Sequence, residues 1–73
     1  VDIRILLKKA LMHDAVSIVI YHNHPSGSLE PSSADDHITK KVKEAGVLLD
    51  IRLLDHIIVS TDGYYSFADE GIL

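Results

Sequence analysis

Within the stretch "YHNHPSGSLEPSSAD", residues 21 to 35, two histidines stand one residue apart and an aspartate follows eleven positions after the second. In an extended chain, residues i and i+2 project from the same face, so His22 and His24 point together. Neutral imidazole is a good zinc ligand at about 2.0–2.1 Å, and a carboxylate as third ligand makes an open catalytic site. Asp35 is the candidate carboxylate. Two histidines and an aspartate leave a fourth tetrahedral position for water, whose pKa on zinc falls to about 7. Such a site polarises a carbonyl and supplies a nucleophile at neutral pH, which is hydrolytic chemistry.

The same residues also read as ordinary structure. Ser32 followed three positions later by Asp35 fits a capping box, in which the serine oxygen accepts from a first-turn amide. An aspartate in a first helical turn is favoured by the helix dipole alone. Pro25, Gly27 and Pro31 are common loop punctuation. The alternate histidines at a fixed distance from the carboxylate tip the reading towards metal.

These side chains need elements to hold them. "VDIRILLKKALMHDA" predicts a first helix, with Ile3, Leu6, Leu7, Ala10 and Leu11 recurring at three- and four-residue spacing. "AVSIVIY", residues 15 to 21, is a β-branched run with little alternation and predicts a strand covered on both faces. "SSADDHITKKVKEAG" predicts a second helix with Ala34, Ile38, Val42 and Ala45 as its buried stripe and Gly46 as terminator. Asp35, in its first turn, then lies on or beside the face turned to the sheet, near the C-terminal end of the first strand. That end of an open α/β sheet is where ligands bind. Residues 50 to 60 return to strand character, and "TDG" before "YYSF" predicts a hairpin. The fold class is α/β, a mixed sheet with flanking helices.

The chain of 73 residues has room for one small domain. A domain of that size buries only about 60% of its unfolded surface, so a hydrophobic share of 47% leaves apolar surface for a neighbour. Without cysteine, neither disulfides nor thiolate zinc sites can form. No apolar run approaches the roughly 20 residues of a membrane span and no signal peptide opens the chain, so a cytoplasmic location is expected. The net charge of −4 argues against direct nucleic-acid binding by this segment. Lys8 and Lys9, and Lys40, Lys41 and Lys43, read as solvated helix faces. His13 reads as a helix C-terminal residue, His37 as an exposed one, and His56 as a sheet-surface or hydrogen-bonded histidine. Tyr64, Tyr65 and Phe67 read as a strand with one packed face.

The string from His22 to Asp35 resembles the JAMM signature, H-x-H-x7-S-x2-D, of the MPN-plus (JAB) metalloproteases. "HNHPSG", "EPSSAD", "LLDHIIVS" and "YYSFADEGIL" resemble its bacterial RadC-like branch, a DNA repair protein family by historical label. The resemblance implies a cytidine-deaminase-like fold, zinc held by His22, His24 and Asp35, and hydrolysis of peptide or isopeptide bonds. It gives Ser32 the catalytic role of the serine that helps hold the tetrahedral intermediate.

One departure stands out. JAMM enzymes use a glutamate upstream of H-x-H as general acid/base, and this chain has none before Glu30. Asp2 and Asp14 are the only earlier carboxylates, both near the ends of the first predicted helix. Together with the opening Val1, this leads to the expectation that residues 1–73 are the C-terminal part of a single, N-terminally truncated domain. Such a piece would hold metal yet hydrolyse poorly, and its uncovered edge would favour self-association as a homo-oligomer. The competing expectation is a non-catalytic, DNA-repair-associated or protein-interaction module with a structural or vestigial metal. A protein or peptide is the expected substrate, and no organic cofactor is expected.

Overall fold

The computed structural model describes residues 2–24 and 28–73; Pro25 and Gly27 of the loop punctuation lie outside them. Two helices and three strands follow one another as α1 (Ile3–Met12), β1 (Ser17–Asn23), α2 (Ser33–Leu49), β2 (Arg52–Ser60) and β3 (Gly63–Ser66). The sheet order is β1-β2-β3, with β1 parallel to β2 and β2 antiparallel to β3. Parallel neighbours need a crossover, and α2 provides it. The mixed α/β sheet with helices packed on it is as the sequence predicts. Among the described residues no helix is long and apolar enough to cross a membrane.

Helix α1 begins at Asp2, whose carboxylate accepts from the Arg4 amide at 2.9 Å, and His13 closes its C-terminal end. Ile20, Val42 and Leu53 form the central cluster, with Ile3, Leu6, Ile18, Ile38 and Leu73 packed against it. Burial of each such side chain is worth about 1.5–3 kcal/mol, and this cluster ties β1 and β2 to both helices. The opposite side of β1 is open: Val19 is 49% and Tyr21 73% exposed. The strand is therefore covered on one face, not two. Its outward valine and tyrosine are as β-prone as its inward isoleucines, so the missing alternation misleads.

The inward stripe of α2 also differs from the predicted one. The buried residues are Thr39, Val42 and Gly46, while Ile38 and Ala45 are only half-buried and Ala34 is exposed. Gly46 does not end the helix, which runs on to Leu49 and closes at Asp50 in the left-handed conformation (φ 57°). The Ile51 amide bonds back to the Gly46 carbonyl at 2.8 Å, and that of Asp50 to Val47 at 3.4 Å. This is a Schellman closure with aspartate in the place glycine usually takes. Gly46 serves another purpose, since a Cβ there would lie 2.2 Å from the Ile51 carbonyl oxygen. It makes room for the chain returning into β2.

A bulge shapes the middle strand. Ile18 pairs with Leu53, but the next residue, Val19, pairs with Asp55, leaving Leu54 outside the ladder. Leu53 and His56, three residues apart, thus both face the helices, at 8% and 1% exposure. A regular strand would have turned His56 to the other face.

Candidate metal centre

The site lies where β1 runs out and α2 begins. His22 is near the end of β1, pairing with Ile58 of β2, and His24 follows just beyond the strand. Its backbone amide still bonds to the Val59 carbonyl at 3.0 Å, so the two-residue alternation of β1 carries on to His24. The two imidazoles tilt against each other with centroids 5.0 Å apart.

Asp35 meets them from the first turn of α2. Ser32 caps the helix as the sequence predicts: its Oγ accepts from the Asp35 amide at 3.1 Å, and its own amide donates to Asp35 Oδ2 at 2.8 Å. This reciprocal pair fixes the Asp35 side chain. His22 Nε2 lies 3.1 Å from Asp35 Oδ1 and His24 Nε2 3.1 Å from Asp35 Oδ2, with the carboxylate side chain only 12% exposed. Burial pushes the Asp35 carboxyl up. The hydrogen bonds from Ser32, backbone and then side chain, and the charges of His22 and His24 together outweigh it, so the group sits below its ordinary value.

Two residues absent from the predicted constellation join it. His56, 1% exposed on β2, places its Nε2 3.1 Å from His22 Nδ1. The hydroxyl of Thr39, one helical turn beyond Asp35, contacts His56 Nδ1 and donates to the Asp35 carbonyl at 2.7 Å. Phe67 stacks on the His56 ring, 6° from parallel with centroids 4.7 Å apart. Burial first, and the neighbouring His22 charge second, lower the His56 pKa. The one hint in the sequence was a histidine inside the apolar run "LLDHIIVS". Its inward orientation depends on the bulge, which no local pattern reveals.

The donor set suits a cation. His24 Nδ1 lies 2.9 Å from the Ser28 carbonyl oxygen. A carbonyl only accepts, so Nδ1 carries the proton and a neutral His24 turns the bare lone pair of Nε2 towards Asp35. A lone pair facing a carboxylate oxygen at 3.1 Å is repulsive unless positive charge intervenes, as protons on the imidazoles or as a metal ion. Among the described residues, His22, Asp35 and His56 also form a group whose ligand atoms all lie within 4.8 Å of one another. Ser32, Asp35, His22 and His24 are thus brought together. His13 and His37 are exposed and stand apart from this cluster. Glu30 is exposed too, its amide 3.3 Å from Ser28 Oγ.

A family profile described as "RadC-like JAB domain" matches residues 1–72. The chain belongs to that family. Its relatives include the UPF0758 protein of Flavobacterium johnsoniae, 53% identical over 72 residues, which cover 99% of this chain and 31% of the relative. The UPF0758 protein of Porphyromonas gingivalis is 49% identical over 73 residues, covering 99% and 32%. That of Nitrosococcus oceani is 54% identical over 70 residues, covering 96% and 31%. The RadC-like chain spans about a third of the length of these curated relatives.

Proposed function

We propose that this RadC-like JAB chain carries the metal-binding part of a zinc-dependent hydrolase of the JAMM type, acting on peptide or isopeptide bonds. The observation that carries the reading is the pair of imidazole Nε2 atoms converging on the two oxygens of one carboxylate, each at 3.1 Å. His22, His24 and Asp35 are the residues that would hold the ion. Zinc supplies Lewis acidity and an activated water when bound. Ser32 stands beside the carboxylate as cap, and its hydroxyl proton is free to donate to a developing oxyanion. The fold in this reading is the cytidine-deaminase-like one, the substrate a protein or peptide, and the compartment the cytoplasm.

No glutamate precedes Glu30 in this chain; in this reading the general base is not among residues 1–73, and hydrolysis is to be tested on a protein as long as the relatives. The same lack favours a second reading, a non-catalytic DNA-repair-associated or protein-interaction module with a structural metal. Metal stoichiometry after mild dialysis tests the first step. About one zinc per chain is expected in the wild type, with loss in His24→Ala and Asp35→Ala while both stay folded. Folded wild-type protein that takes up no added zinc would sink the metal reading. Zinc bound without peptide hydrolysis by the longer protein would put the second reading ahead.

A further inference from the structure

We infer that Thr39 and His56 are positioning residues that fix the tautomer of His22, so that its Nε2 faces Asp35 as a bare lone pair; this rests on the metal reading above. The direction of one hydrogen bond, from the Thr39 hydroxyl to the Asp35 carbonyl, orders the protons along the chain of contacts. Thr39 has a single hydroxyl proton, and the Asp35 carbonyl at 2.7 Å can only accept it. Thr39 Oγ1 is therefore an acceptor towards His56 Nδ1, and that nitrogen bears hydrogen. A neutral His56 then has its lone pair on Nε2, which lies 3.1 Å from His22 Nδ1. His22 Nδ1 must donate, and the lone pair of a neutral His22 is left on Nε2, 3.1 Å from Asp35 Oδ1.

The relay begins on the main chain of Asp35 and ends on its side chain. Both ring nitrogens of His56 are engaged, which sets it behind His22 and not beside it as a ligand. Its place is also rigid: the ring is 1% exposed and stacked flat on Phe67, itself 1% exposed. His24 needs no such relay, because the Ser28 carbonyl sets its tautomer directly. Outer partners of this kind hold ligating histidines in other metal sites, and their loss costs about 10–100-fold in metal affinity.

The test combines nitrogen NMR of the histidine rings in metal-free protein at about pH 8, where free imidazole is neutral, with zinc affinity measured against a chromophoric chelator. In the wild type, His56 is expected as the Nδ1–H tautomer without metal, and His22 as Nδ1–H once added zinc stands between its Nε2 and the Asp35 carboxylate. Thr39→Val, close in shape to threonine, is expected to release the His56 tautomer and weaken zinc binding about 10–100-fold with the fold retained by circular dichroism. Thr39→Ser is expected to restore both. A proton on His56 Nε2 in the wild type overturns the inference, as does wild-type zinc affinity in Thr39→Val. If the wild type binds no zinc, the metal reading fails by itself and the ring spectra still decide the relay.

Discussion

At the scale of single residues, the observed capping box of Ser32 and Asp35 and the metal binding proposed for Asp35 can be separated by substitution. Ser32→Ala removes the cap oxygen and is expected to cost about 0.5–2 kcal/mol. For a domain of this size each kcal/mol lowers Tm by about 4–8 °C. Zinc content is expected to stay as in the wild type, because Ser32 Oγ bonds the Asp35 amide and is not itself a ligand. Asp35→Asn reverses the pattern: an amide oxygen still accepts from the Ser32 amide, so the capping box survives, but the anionic ligand is gone. Thermal melts beside zinc counts read both effects, and parallel losses in the two variants would contradict this division. These residues were legible in the sequence because one loop and one helical turn hold them all, and spacing along the chain there stands for spacing in space. His56 and Thr39 were not, since their meeting depends on strand register and on which side of α2 faces in.

At the scale of elements, the order helix, strand, helix, strand, strand follows from apolar periodicity and turn residues, whereas faces and ends depend on packing. The end of α2 shows why. Gly46 looks like a stop signal, yet tight return of the chain at Ile51 requires glycine inside the helix, and Asp50 takes the left-handed turn. Beyond the bulge, Asp55 ties β2 to β3 and to the turn that follows. Its carboxylate accepts from Ser66 Oγ, from the His56 amide at 2.7 Å and from the Ala68 amide at 3.0 Å. Burial pushes this carboxyl up, but those hydrogen bonds, Ser66 foremost, hold it below its ordinary value. A carboxylate with a depressed folded pKa stabilises the fold above the unfolded pKa of about 3.9, and that stability is lost as pH falls through the folded value. Asp55→Asn is therefore expected to cost about 1.5–3 kcal/mol near pH 7, with the gap from wild type closing below about pH 4. Urea titrations across pH measure it, and a gap that stays constant down to about pH 2 would show that charge has no part in it.

At the scale of the whole molecule, the covered face of the sheet is accounted for by α1 and α2, and the other face is not. Val19, Tyr21 and Tyr64 line it at 49%, 73% and 64% exposure. Among the described residues β1 is an edge of the sheet, a seven-residue strand with neither proline nor lysine to guard it. Edges protected so little pair readily with another strand, and apolar patches beside them add to the attraction. Further apolar side chains stand out at the ends of the helices, among them Met12 at 70% and Leu48 at 86%. The chain on its own is therefore expected to self-associate, with weight-average mass by light scattering rising over a concentration series. Tyr21→Lys places a charge on the open face of the edge strand, beside the site yet pointing away from His22. It is expected to return the mass to that of a monomer and leave zinc uptake intact. A wild-type mass that stays monomeric at every concentration would mean that this face and edge attract no second copy.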